Sequence, residues 1–198
     1  MQLPTSFTTD GKRLVFSELT PESGGEIRTV PVETASGHLT AGVPQLFLKT
    51  STTNVFPAFS PDGRWLAYAD SPAGSYEVYV RAFPDNGSQV QISNAGGTLP
   101  VWSRKGHELF YRTEDNRIMV TNYTVKGESF VVDKPRVSFG KQLANIGLGV
   151  NFDLAPDGKR FVVLMPAEGP EPRETQSHVT LAVNFFDEVR RRVAAASK

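Results

Sequence analysis

Apolar residues along this chain fall into short, strand-length runs separated by polar breaks rich in Gly and Pro, and the runs repeat. Phe7 to Phe16 reads FTTDGKRLVF, Phe59 to Tyr68 reads FSPDGRWLAY, Trp102 to Tyr111 reads WSRKGHELFY, and Leu154 to Val163 reads LAPDGKRFVV. Each copy has an apolar residue, a small residue, two turn formers, a Gly, polar positions and then an apolar strand. The shared glycines, Gly11, Gly63, Gly106 and Gly158, lie 52, 43 and 52 residues apart. Short strands at a period of roughly 40–50 residues predict a β-propeller with one four-stranded blade per repeat.

The second repeat shows the plan. Phe56 to Ser60 is expected as strand A, Arg64 to Ala69 as B, Tyr76 to Phe83 as C and Gln89 to Ser93 as D. In strand B, Trp65, Ala67 and Ala69 face one side while Leu66 and Tyr68 face the other. Apolar residues on both faces mark a strand covered on both, as when blades stack. The third repeat offers strands near Pro100–Ser103, Glu108–Arg112, Arg117–Tyr123 and Val137–Phe139. The first offers Leu14–Ser17, Glu26–Val32 and Gln45–Leu48. The last has strand B at Phe161–Met165 and C at His178–Phe185 but no D. Its NFFDEVRRRVAAASK ending reads as a helix over 184–196, with Asn184 as N-cap and Arg190 to Arg192 toward the far end. The expected fold class is therefore all-β, a propeller of four-stranded antiparallel blades with the last incomplete and a short C-terminal helix. Blades are placed at about 4–50, 51–94, 95–140 and 141–186, with Met1 to Ser6 left to supply a closing strand.

Charge and composition exclude more than they select. Lys+Arg and Asp+Glu are equal at 21 each in 198 residues, so no bulk field favours nucleic acid or an anionic membrane surface. The absence of Cys removes disulfides, thiolate catalysis and cysteine-held zinc. No 18-residue apolar run exists, and Met1-Gln2-Leu3-Pro4 does not open a signal peptide. Direct membrane insertion is not expected.

Candidate chemistry is sparse. Asp10, Asp62 and Asp157 resemble cation ligands only superficially, because a calcium loop needs oxygen side chains at alternate positions and each turn offers one carboxylate. An Asp-Gly hairpin is the simpler reading, and the third repeat keeps Gly106 while replacing Asp with Lys105. His38, His107 and His178 are dispersed and lack metal-ligand spacing. No Gly-x-Ser-x-Gly elbow occurs. Trp65 and Trp102 sit in strand slots that are apolar in other repeats, which favours inter-blade packing over a stacking platform. Arg190 to Arg192 read as a solvated face. No catalytic residue, metal site or cofactor is expected.

FSPDGRWLAY together with EVYVRAFP, Glu77 to Pro84, resembles the Pro-Asp-Gly propeller repeat of the TolB-like family, a relative of WD repeats. Combined with NFFDEVRRR, the chain is also similar to the C-terminal sensor region of bacterial membrane-anchored serine/threonine kinases. The resemblance implies a bacterial signalling or envelope protein working in the periplasm or elsewhere outside the cytoplasm. Relatives usually have six or more blades, so four repeats imply part of a larger propeller or a small one completed by self-association.

The loops carry the functional expectation. In such a blade the A–B and C–D turns lie at one end, and the B–C and D–A connections at the other. The second set varies between repeats, and variable insertions on one face mark the binding face of a repeat protein. Candidate binding residues there are Asn54, Tyr76, Asn94, Thr98, Asn145 and Asn151. The expected function is a non-catalytic binding or sensor module for a protein, peptide or glycan. The alternative is a lyase- or glycosidase-type propeller enzyme with a site in the central channel. A four-blade arc would leave two apolar blade faces uncovered, so a homo-oligomer is expected, most simply two chains closing one ring; a closed four-bladed monomer is the competitor.

Overall fold

The computed structural model describes residues 1–20, 24–35, 38–85, 87–147 and 149–166. The strand expected at His178–Phe185, the helix over 184–196, His178 and the Arg190–Arg192 run lie outside the described residues.

Four antiparallel sheets follow one another along the described chain. The first comprises β1 (Gln2–Phe7), β2 (Arg13–Thr20), β3 (Gly24–Ala35), β4 (His38–Ala41) and β5 (Gln45–Lys49), with β4 and β5 both pairing β3. The second is a meander of β6 (Val55–Phe59), β7 (Trp65–Asp70), β8 (Glu77–Ala82) and β9 (Gln89–Gln91). The third holds β10 (Thr98–Trp102), β11 (Glu108–Arg112), β12 (Ile118–Lys126), β13 (Ser129–Val132) and β14 (Arg136–Phe139), with β13 and β14 on β12. The fourth is the pair β15 (Phe152–Leu154) and β16 (Phe161–Val163). These are the stacked blades of a propeller. Met1 to Ser6 is not a spare closing strand. From Gln2 onward it belongs to β1, which runs directly into the Thr8–Lys12 turn and pairs β2 from Gln2↔Glu18 to Phe7↔Leu14 as strand A of the first blade.

The repeated turns are built by one mechanism. In the second blade the Ser60 hydroxyl donates to Asp62 Oδ1 at 2.6 Å, and that oxygen also accepts from Arg64 N at 3.1 Å. Trp65 N donates to Ser60 Oγ at 3.0 Å, and Gly63 takes φ +69°. The first blade repeats this with Thr8, Asp10, Lys12 and Arg13, and with Gly11 at φ +70°. The donors on Asp10 hold its carboxyl below the ordinary range, led by the Thr8 hydroxyl. Asp157 is held low in the same way, first by Lys159 N and then by Arg160. Each of these carboxylates accepts from donors of its own turn, which is turn chemistry rather than ligation. The same device recurs once at the opposite end. Thr113 donates to Asp115, Arg117 N donates to Thr113 Oγ1 at 3.0 Å, and Asn116 takes φ +58° in place of glycine.

Blade faces alternate as the strands dictate. Leu66 and Tyr68 of β7 join Val15, Ile27 and Leu48 in the core between the first two blades. Trp65 and Ala67 face the other way, with Trp102, Leu109, Tyr111, Tyr123 and Phe130. Phe110, Ile118 and Val120 then pack with Phe152, Phe161 and Val163 of the fourth sheet. Both tryptophans are core residues, Trp65 3% and Trp102 7% exposed. The inner strands β6 and β10 each carry a bulge where a residue before proline, Phe56 or Leu99, adopts φ near +55°. Pro4, Pro57, Pro100 and Phe152 come together around a cavity of about 330 Å³ on that inner side.

Candidate functional site

The D–A connections are anchored to the start of the preceding strand C by a recurring bond. A backbone carbonyl just before, or at the start of, that strand accepts from the connection that follows the blade. Gly25 O accepts Asn54 Nδ2 at 3.0 Å, Tyr76 O accepts Gly97 N at 2.7 Å, and Asn116 O accepts Leu143 N at 2.8 Å. In the second blade Glu77 adds two grips, accepting from the Ser93 hydroxyl and from Gly96 N at 3.0 Å. The loop end is therefore a set of fixed backbone platforms.

Between these platforms lies a cleft of about 210 Å³, lined by Tyr76, Thr98, Arg112, Glu114, Asn116 and Asn145 together with glycines 96, 97 and 147. It draws on the B–C loops of the second and third blades and on two D–A connections. Three of the six candidates, Tyr76, Thr98 and Asn145, meet here from three separate loops. Asn94 is exposed but does not line this cleft. Asn54 and Asn151 are 0% and 1% exposed and donate to Gly25 O and Ala144 O. Their amide groups serve the scaffold, and each Oδ1 has no hydrogen-bond partner among the described residues.

Arg112, which the sequence reading passed over, forms the floor of the cleft at 4% exposure. Its Nε donates to Thr98 Oγ1 at 3.2 Å, and its terminal nitrogens donate to Gly149 O at 3.1 Å and Gly147 O at 2.9 Å. Burial alone lowers its pKa, with no carboxylate contributing, yet a guanidinium keeps its proton in proteins. A signal for it existed: the strand B register puts Arg112 where the other blades have Ser17, Ala69 and Leu164. A cation in a small or apolar slot needs a reason. On the wall, burial raises the Tyr76 phenol above its usual range, Asp70 adds to this and a Thr53 hydrogen bond opposes it. Tyr76 is thus a neutral donor–acceptor at physiological pH. The cleft can offer hydroxyl, amide and phenol contacts over a buried positive charge, with the exposed Glu114 at its edge.

Stacked antiparallel blades define a β-propeller, with a polar cleft at its loop end. No family model matches the sequence. Over 59 residues the chain is 32% identical to the Tol-Pal system protein TolB of Desulfosudis oleivorans, covering 30% of this chain and 14% of that protein. The fold is similar to TolB from Acinetobacter baumannii, with a TM-score of 0.53 and 17% identity over 86% of this chain and 39% of the other. A structure assigned as TolB from Agrobacterium tumefaciens gives 0.51 and 18% identity, covering 67% and 48% of the two chains. One assigned as a 6-phosphogluconolactonase from Bacteroides uniformis gives 0.50 and 17%, covering 81% and 47%. The chain thus spans less than half of each of these solved chains and a seventh of the curated relative.

Proposed function

We propose that this chain is a non-catalytic propeller module that recognises a protein or peptide at the loop-end cleft, in a bacterial protein working outside the cytoplasm. One observation carries the reading: Tyr76, Thr98 and Asn145, from three loops, converge on one cleft whose walls are pinned backbone. The resemblance of the repeat motif combined with the NFFDEVRRR ending to kinase-linked sensor regions suggests a signalling context, which the natural flanking sequence would test.

The test is site-specific photocrosslinking in the native bacterium. A benzoylphenylalanine at Asn145 is expected to capture a defined partner, and one at the exposed Lys159, in the opposite-end turn, is not. Capture from Lys159 alone would overturn the assignment of the binding face. We further propose that the chain self-associates to complete its ring. Light scattering on the purified chain is expected to give twice the 21.7 kDa chain mass, and a monodisperse monomer would remove this second proposal.

A further inference from the structure

Arg112 is a buried cation with no ion-pair partner among the described residues, although six other described arginine or lysine side chains are paired with carboxylates (Arg28, Lys49, Arg81, Arg117, Arg136 and Arg160). A guanidinium has five N–H groups, and three meet Thr98, Gly147 and Gly149. One N–H on each terminal nitrogen is left, in a site that the Arg112 side chain helps to line. Carbonyl and hydroxyl oxygens satisfy part of its hydrogen bonding but do not neutralise its charge. In a poorly solvated floor, that charge interacts with an arriving anion far more strongly than a surface arginine does.

From this arrangement we propose that the cleft recognises a carboxylate of a peptide ligand, held by the two remaining N–H groups of Arg112 and flanked by Tyr76 and Asn116. The inference rests on the reading of the cleft as a peptide-recognition site. A planar, singly charged group with two oxygens matches two donors on one guanidinium. A dianion such as phosphate is disfavoured by Glu114, whose carboxylate borders the same cleft and has no ion pair among the described residues. The volume of about 210 Å³ is below the roughly 300–1,000 Å³ of pockets that enclose whole drug-sized ligands. It therefore suits one end group or one side chain, with the rest of the peptide lying across the loops. The carboxylate can come from a chain terminus or from an acidic side chain, which are the same chemistry for Arg112.

Three peptides separate these cases when titrated into the full 15N-labelled chain: acetyl-Ala-Ala-Ala with a free C-terminus, its C-terminal amide, and acetyl-Ala-Asp-Ala-amide. Shifts are expected at the amides of Gly96, Gly97 and Gly147 with at least one carboxylate-bearing peptide, binding about tenfold tighter than the neutral amide. A free-acid preference identifies a chain terminus, and an Asp preference identifies a side chain. Arg112 also holds Gly147 and Gly149 through their carbonyls, so its replacement would report on folding as well. Glu114→Gln is the cleaner variant because it removes only a rim charge, and it is expected to tighten carboxylate binding about threefold. Equal shifts from the neutral amide, or no tightening in Glu114→Gln, would overturn the carboxylate assignment while leaving the cleft as a recognition site. An absence of cleft shifts with every peptide at about 5 mM, where even millimolar affinity registers, would overturn both.

Discussion

Replacing Trp102 with alanine is expected to lower the stability of the chain by about 4 kcal/mol, the scale of deleting a buried aromatic. Trp102 is the hub of the interface between the second and third blades. Its ring meets Tyr123 edge-on at 5.1 Å and Phe130 at 5.9 Å between centroids, and its indole N–H donates to Ala58 O at 2.9 Å in the neighbouring blade. Alanine removes the packing and the bond and leaves a cavity lined by groups fixed in two sheets. In urea the midpoint should fall with an unchanged m-value, and the melting temperature should drop on the order of 10 °C for a chain of this size. Phenylalanine variants separate the two contributions. Trp102→Phe keeps most of the packing but loses the bond to Ala58, at about 1 kcal/mol. Trp65→Phe should cost less, because the buried Trp65 Nε1 has no partner among the described residues. If Trp102→Ala and Trp65→Phe shift the midpoint equally, the hub is misplaced.

The same interface shows what was legible in the sequence. Period-2 alternation in WLAYAD assigned Trp65 and Ala67 to one blade face and Leu66 and Tyr68 to the other, and the clusters divide in that way. Side-chain direction in a strand follows from position alone, so sequence suffices. Phe130 was not foreseen. It lies in β13, a four-residue strand after Lys126-Gly127-Glu128, and reaches Trp65 at 4.9 Å by folding back from an extended β12. Such a hairpin extension is set by what its tip covers, which no local pattern encodes. The bulges at Phe56 and Leu99 were equally hidden, since a bulky residue at positive φ contradicts local preference and persists only because the surrounding blade over-determines it.

The loop end was legible in outline. Repeat logic located the variable connections and three of the residues that meet in the cleft. It could not tell exposed asparagines from buried ones, because Asn54 and Asn151 look the same in sequence as Asn145. What separates them is a carbonyl in range, Gly25 O or Ala144 O, contributed from a residue 29 or 7 positions earlier. Arg112 was recoverable only through register, by comparing its slot with Ser17 and Ala69. The copied turn at Thr113–Arg117 also shows that not every B–C connection is a free variable loop; this one is a rigid wall built like the A–B hairpins.

Gly25→Ala is expected to produce the second large loss, about 2–3 kcal/mol, through overpacking against backbone. An added Cβ would stand 2.8 Å from both the N and the O of Asn54 and 3.1 Å from Leu19 Cδ2. No rotamer relieves a clash with backbone atoms, so either β3 or the connection between the first two blades must shift. That connection is tied at the same point by the Asn54 bond to Gly25 O and by the bridge from Gly25 to Thr53. A shift therefore breaks the contact that aligns the blades. Gly74→Ala is the matched control. Gly74 has φ +89° but nothing within 4 Å of an added Cβ, so only backbone strain remains, at about 1 kcal/mol. Thermal melts of the two variants should differ by roughly 3–6 °C, and amide exchange should accelerate in the first blade only for Gly25→Ala. Equal melts would mean that the connection yields to the added Cβ, and that the first blade is held to the second by its Val15, Ile27 and Leu48 core rather than by the loop.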